Sequence, residues 1–469
     1  MPPRATSGSA WSTAPRAGLA LPVLLGAGLA LRLLIIVLLP GTGFGVDLNA
    51  FRFWAANLAQ DGPFGFYARG FFIDYTPGYL YVLWLLGLAG QLLGGLGDLI
   101  KLPAILADIV VAWLVHELVV ELGGSRRAAL LGTAIVLVNP VTWFDSAVWG
   151  QVDAVGAIPL LLGLRELWRG RSERAAVFAA VAAVVKPQLG ILALLVGGVV
   201  LRRALFGTPP GSLDRRWLPT AAEPGAGSRG LLARWRAFET GAHGPVRIVT
   251  SAIAAVATAA ILSAPFGLSF VDLLGRVAGA AGGYPYLTVN AYNLWALVER
   301  AGSGLAANGT WLCDAVTGQA CPPGAAVTIG PVWAVFVGSA LLFVAIGIIV
   351  VAVALRPNPR SLTVALAALA VVFFIVPTRV HERYLFPFFA VGAILAAVSV
   401  RWRAAYALLA LANLANLYVV LTTLYQNPGV SDWFGIGPLI RSSTGVTALA
   451  FAHTVAGLWI LSQLRPDAG

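Results

Sequence analysis

Apolar and polar positions alternate along this chain on the scale of whole helices rather than single turns. A helix needs about 20 mostly apolar residues to cross a bilayer. Runs approaching that length fall at 17–40, 101–121, 128–144, 152–168, 175–186, 188–204, 247–265, 330–355, 361–377, 384–400, 404–425 and 443–464. The pattern predicts an all-α polytopic membrane protein with about 12 transmembrane helices and outer juxtamembrane helices. The first run is too long for the apolar stretch of a signal peptide, contains Arg32 and ends without a small-residue cleavage site, so it reads as an uncleaved anchor. The two runs meeting at Lys186–Pro187 are short and predict a tight pair of broken helices, which membranes tolerate where protein buries the freed backbone. Between the first two runs, Leu48, Phe51, Trp54, Ala55 and Leu58 share one helical face, the spacing of an amphipathic helix lying on the bilayer surface.

Composition excludes the alternatives. Charged residues make up 11% of the 469, and hydrophobic residues 59%, whereas soluble domains carry about 25% charge. Neither a soluble globular protein nor a disordered chain fits. The net charge of +11, from 31 basic and 20 acidic residues, is no nucleic-acid footprint, because in a membrane chain the placement of Lys and Arg reports orientation. The segment 77–97 is also apolar, and parity decides its role. If it lies at the outer interface, the N-terminus, Arg126–Arg127, loops 165–174 and 202–247, Arg356, Arg360, Arg401, Arg403 and the C-terminus all face the cytoplasm. The expected organisation is a cytoplasmic tail (1–16), a first membrane module (17–204) with outer loop 41–100, a basic cytoplasmic loop (205–246), a second module (247–464) with outer loop 266–329, and a tail (465–469). The basic loop reads as a solvated tether or anionic-lipid contact. Cys313 and Cys321 share an outer loop, where an oxidising compartment favours a disulfide.

The remaining polar residues gather on the outer side, and ionisable groups near a membrane are costly enough to be functional candidates. Asp47 follows the first run; it reads either as an N-cap or as a reactive carboxylate. Asp74, in DYTPGYLY, has the same two readings, with Pro77 suited to a first helical turn. Asp61-Gly62-Pro63 is a turn signal. NPVTWFDSAVWGQVDA brings Asn139, Asp145, Gln151 and Asp153, and VVKPQ brings Lys186. PTRVHERYLFP packs Arg379, His381, Glu382 and Arg383 between two apolar runs. YPYLTVNAYNLWAL reads as an aromatic interfacial belt. Carboxylates, cations and aromatics at one membrane face are what a lipid-linked substrate requires: cations stabilise a departing phosphate, and a carboxylate takes the acceptor's proton.

In these residues the chain resembles the GT-C superfamily of integral-membrane glycosyltransferases. It is similar in particular to bacterial relatives of the GPI-anchor mannosyltransferases and to the dolichyl-phosphate-glucose-dependent glucosyltransferases. The matching pieces are Asp47 before an aromatic helix, DYTPGYLY with Thr76 where the family motif has proline, NPVTWFDSAVWGQVDA, the KPQ element and VHERY, in that order between about residues 30 and 400. The resemblance implies a GT-C-like catalytic module over 17–204 and a sugar, mannose by preference, moved with inversion from a polyprenyl-phosphate donor. The acceptor would be a hydroxyl of a glycolipid, polysaccharide or protein at the outer membrane face of the cell envelope. It implies Asp47 as catalytic base, Asp74, Tyr75, Asp145, Gln151 and Asp153 at the sugar, and Lys186, Arg379, His381 and Arg383 at the phosphate, with Glu382 orienting a cation. Some superfamily members use a divalent metal; the first loop has no Asp-x-Asp, which argues against one here. Two other readings stand beside this one. A transporter or flippase for a lipid-linked sugar draws on Asp108 and His116–Glu117 in the second run, although carriers need such groups at mid-membrane. A structural subunit of a membrane complex leaves the one-sided polar cluster unexplained.

Overall fold

The computed structural model describes residues 19–206, 244–298, 310–317, 319–427 and 429–465. The tail 1–16 and nearly all of the basic loop 205–246 lie outside the described residues. The first half runs α1 (Ala20–Leu38), α2 (Gly45–Asp61), α3 (Pro77–Leu93), α4 (Leu102–Glu121), α5 (Arg126–Val138), α6 (Pro140–Trp143), α7 (Asp153–Trp168), α8 (Ser172–Val185) and α9 (Ile191–Phe206). The second half runs α10 (Val246–Ser263), α11 (Phe270–Gly282), α12 (Ala334–Leu355), α13 (Pro359–Ile375), α14 (Phe386–Val398), α15 (Val400–Val419), α16 (Gly437–Arg441) and α17 (Ser443–Ser462). Two two-residue strands, β1 (Thr328–Ile329) and β2 (Val332–Trp333), form the only sheet among the described residues. The protein is all-α, as the apolar pattern predicts.

Each predicted crossing has its helix, but the helices differ in kind. Among the described residues seven are long and apolar enough to cross a bilayer alone, and the pair Arg126–Val138 and Pro140–Trp149, bent by 44°, makes an eighth if taken together. α7, α8, α13 and α14 have only 16, 14, 17 and 13 residues. α14 is apolar on every side, and each residue from Phe386 to Ala397 is buried, packed among α4, α5, α7, α13 and α15. An apolar run of this length is equally satisfied by lipid or by protein, and here protein surrounds it. The long helices α1, α10 and α12 instead turn large apolar side chains outward, with Val37, Ile261 and Phe343 69–79% exposed, as a helix facing lipid does.

The bend at residue 139 has a local cause. Asn139 leaves the helical region at ψ 119, accepts from Val141 N at 3.0 Å and precedes Pro140, which cannot continue α5's hydrogen bonding. Asn139 also donates to the Tyr406 hydroxyl at 2.9 Å, so its role is architectural. Inside the bundle Arg32 and Asp108, both fully buried, pair at 2.7 Å; Ser146 donates to Asp108 at 2.6 Å, and Arg32 donates to Thr142 at 3.0 Å. At the opposite ends of α4 and α7, Glu121 engages Arg165 and Arg169.

Candidate active site

The expected amphipathic face of α2 is buried, against a different partner. Leu48, Phe51, Trp54, Ala55 and Leu58 pack on Tyr79, Leu80 and Leu83 of α3 rather than on a bilayer surface. The crossing is close because Gly87 has no Cβ: one built there would stand 2.0 Å from the Ala55 carbonyl oxygen. α2 begins at Gly45 with Phe44 at its N-cap, so Asp47 lies in the first turn and is not the cap. Thr76 rather than Asp74 holds the N-cap position of α3, with Pro77 in the first turn. Both carboxylates are left for other work.

Asp47 is placed by the segment after α6. That segment winds as a π-helix over Phe144–Trp149 and ends at Gly150, whose φ of 87° is open to glycine and strained for other residues. The Trp149 carbonyl then accepts from Phe44 N at 3.0 Å, drawing the start of α2 against Trp149–Gln151. Asp47 Oδ2 accepts from Gln151 Nε2 at 2.5 Å and from Trp149 Nε1 at 3.4 Å. Gln151 Oε1 accepts from Lys186 Nζ and from the Tyr75 hydroxyl, each at 3.1 Å. An amide between a carboxylate and an ammonium satisfies both only with its NH2 toward the acid and its oxygen toward the cation, so Gln151 links Asp47 to Lys186 in one orientation. Lys186 reaches this point because it precedes a proline. That position disfavours helix, and Lys186 breaks out at φ −148° between α8 and the 3-10 turn Pro187–Gly190. Its ammonium also pairs with Asp153 Oδ2 at 2.8 Å.

The second half closes the site with the hairpin between α13 and α14. Its tip is held from both sides: Val289 N donates to the Val380 carbonyl at 2.8 Å, and Asn413 donates to the Glu382 carbonyl at 2.7 Å. The segment 286–293 is thus interior scaffolding, with Leu287, Thr288, Val289 and Asn293 buried, and not the interfacial aromatic belt its composition suggests. Arg379 is gripped by the buried Asp314, Nε to Oδ2 at 2.8 Å and Nη2 to Oδ1 at 2.9 Å, while Thr378 donates to the same carboxylate at 2.6 Å. Arg379 therefore anchors the hairpin. Arg383 donates to Glu382 at 2.8 Å through Nη1, and its buried Nε has no hydrogen-bond partner among the described residues. The His381 ring lies against Tyr284 and Tyr384, each 5.1 Å between centroids.

These parts enclose a cavity of 340 Å³ lined by Asp74, Tyr75, Lys186, Gln188, Tyr284, Arg379, His381, Arg383 and Tyr384, within the range of small-ligand sites (about 300–1,000 Å³). Asp47 is outside the lining and joins it through Gln151, Tyr75 and Lys186. Asp145 and Asp153 are buried beneath, and neither Asp145 oxygen has a hydrogen-bond partner among the described residues. Asp74, Tyr75, Thr76, Ala280 and Tyr284 also line a groove of 930 Å³ that continues past Phe72, Val271, Gly275 and Gly279. On that groove Arg276 stacks over Tyr67 at 4.7 Å.

Burial and charge set the protonation states. Burial works against the Arg383 charge, but Asp47 and then Glu382 outweigh it and hold the guanidinium above its ordinary range. Burial, then the charge of Asp47, raises the Asp74 carboxyl. Burial, then Arg383 and Lys186, pushes the His381 imidazole well below its ordinary value, so it is neutral and offers a hydrogen bond rather than a charge. Burial, then Asp74, pushes Tyr284 up to about 12, and its hydroxyl donates to Asp74 Oδ2 at 3.5 Å. Among the described residues no three His, Cys, Asp or Glu side chains are grouped to hold a metal ion, and an ammonium, Lys186, stands where Gln151 and Asp153 converge.

Of the residues singled out in the sequence, Asp74, Tyr75, Lys186, Arg379, His381 and Arg383 line the cavity, and Asp47, Gln151 and Asp153 join it through hydrogen bonds or an ion pair. Tyr284, Tyr384, Gln188 and Trp149 complete the site and Asp314 supports it. The tyrosines and Trp149 lie inside or beside the quoted motifs; nothing local marks Asp314 as the partner of Arg379.

No protein-family model and no curated protein matches the chain. Solved structures that match include the oligosaccharyltransferase of Archaeoglobus fulgidus in its apo form, at 14% identity and TM-score 0.45. The same enzyme tethered to an acceptor peptide matches at 15% and 0.41, and its complex with an inhibitory peptide and dolichol-phosphate at 13% and 0.40. Each alignment covers 97% of this chain and 56% of the other, so the chain spans little more than half the length of those proteins.

Proposed function

We propose that the protein is an integral-membrane glycosyltransferase that moves a sugar, mannose by preference, from a polyprenyl-phosphate donor to an acceptor hydroxyl with inversion. The observation that carries this reading is the Asp47–Gln151–Lys186 link. It ties a part-exposed carboxylate, whose Oδ1 makes no hydrogen bond to a described residue, to the wall of a cavity bearing Lys186, His381 and Arg383. In the reaction Asp47 takes the acceptor's proton, the acceptor oxygen attacks the anomeric carbon, and the bond to the phosphate oxygen breaks. The electron pair leaves with the polyprenyl phosphate. The Arg383 Nε, without a partner among the described residues, and the Lys186 ammonium stabilise that charge as it develops, and the neutral His381 adds a hydrogen bond. A phosphate leaves without a proton, so one carboxylate suffices where a glycoside hydrolase needs two.

The two connected spaces suit two substrates. The smaller, cation-lined cavity suits the donor's sugar phosphate, and the longer groove past α11 suits the acceptor, a glycolipid, polysaccharide or protein chain at the outer membrane face. Of the groups on which the transporter reading draws, Asp108 is engaged by Arg32 and Ser146 inside the bundle, and His116 pairs with Glu117 at 3.2 Å. The test is transfer from a panel of radiolabelled polyprenyl-phosphate sugars into native lipid or envelope extract. Asp47→Asn keeps the side chain's shape and removes its basicity, so turnover should fall by about 10²–10⁴-fold in a protein that still folds and inserts. Normal turnover by that variant excludes Asp47 as base.

A further inference from the structure

We propose that a groove at the other end of the bundle is a binding site for an anionic phospholipid. It measures 910 Å³ and lies where α12 ends, α13 begins and α17 ends, with Trp402 of α15 also lining it. α13 carries the chain from this groove to the His381 hairpin, and its 17 residues span about 25 Å. The groove and the candidate active site are therefore separated by a helix length and belong to opposite membrane faces.

The groove combines two chemistries. Its walls are apolar, formed by Ile348, Ala352, Val364, Trp402 and Leu461, while Arg356, Arg360 and Arg465 line it and, among the described residues, no acidic one does. None of the three guanidinium groups makes a hydrogen bond or ion pair with a described residue. Arg356 caps the C-terminus of α12 and Arg465 follows that of α17, positions where helix dipoles favour a cation. Arg360 stands in the first turn of α13, where the dipole opposes one, and Asn358 and Ser361 already cap that turn. A third positive charge held there against the dipole calls for an anion beside it. The outer face of α12 is exposed and apolar, with Phe343 and Ile348 79% and 60% exposed, so the groove opens sideways onto lipid tails. A phosphodiester head group between the arginines, with its acyl chains along Ile348 and Val364, satisfies both halves.

The test titrates the full-length protein in detergent with phosphatidylglycerol or phosphatidylcholine and counts bound lipid by native mass spectrometry. Wild type should retain phosphatidylglycerol about tenfold more tightly than phosphatidylcholine. R356Q/R360Q/R465Q should lose that preference, and A352F, which fills the groove and keeps the charges, should lose the bound lipid. Equal retention of the two lipids, or an unchanged preference in the triple variant, overturns the proposal. Full retention by A352F shows surface charge acting without the groove and also overturns it, as does displacement of the lipid by inorganic phosphate at equal concentration. Thermal unfolding without added lipid checks that the variants fold; should the triple variant not fold, A352F alone decides.

Discussion

Gln151 is the residue on which the candidate site turns, because it converts the charge of Lys186 into an orientation for Asp47. Gln151→Leu keeps much of the volume and removes both links. A hydrogen bond to a charged group is worth about 1.5–3 kcal/mol, so turnover should fall about tenfold to a hundredfold, with the donor still bound; single-turnover and binding assays separate the two. His381 gives a prediction about pH. Its folded imidazole sits well below the ordinary value of 6.5, so between those values the unfolded chain binds a proton that the folded protein does not. That stabilisation is complete above 6.5 and is lost as pH falls toward the folded value, by at most about 1.4 kcal/mol per pH unit. Thermal unfolding in detergent should fall with acid more steeply for wild type than for His381→Asn. The sequence displays these residues because an ionisable side chain stands out among apolar neighbours. It cannot display that His381 is neutral, since burial and the nearness of Arg383 and Lys186 set that in three dimensions.

At the scale of elements, hydropathy located every described helix assigned as a crossing but did not distinguish lipid from protein as the neighbour. α14 and the face of α2 are the clearest cases: apolar pattern reports burial, and only packing supplies the partner. The hairpin that carries His381 and Arg383 shows the complementary gap. Its charged tip is evident in VHERY, whereas its anchor, Asp314, lies in another loop and is joined to it only by folding. Asp314→Asn leaves Arg379 facing a neutral amide. Removing one partner of a buried pair costs about 3–5 kcal/mol; Arg379 is about a fifth exposed, so a smaller loss of about 2 kcal/mol is expected, read as a lower unfolding temperature. Donor affinity should weaken with it as the tip loosens.

For the molecule as a whole, the apolar exteriors of α1, α10 and α12 make it a membrane protein, and orientation is the next quantity to measure. If the candidate site faces outward as proposed, Phe64, next to the groove-lining Gly65, and Arg127, in the first turn of α5, belong to opposite sides. In intact cells an impermeant maleimide should label Phe64→Cys at once and Arg127→Cys only after permeabilisation; the reverse pattern would turn the molecule over. The native cysteines do not interfere, because Cys313 and Cys321 are bonded to each other, Cα to Cα 5.7 Å. That bond is next to Asp314, and so to the grip on Arg379. Thiols of this kind are oxidised outside the reducing cell interior, so in the proposed orientation the loop that carries Asp314 would be cross-linked only after its export. On the proposed function, a newly made chain would then acquire the covalent tie beside its candidate pocket only in the compartment that the pocket faces.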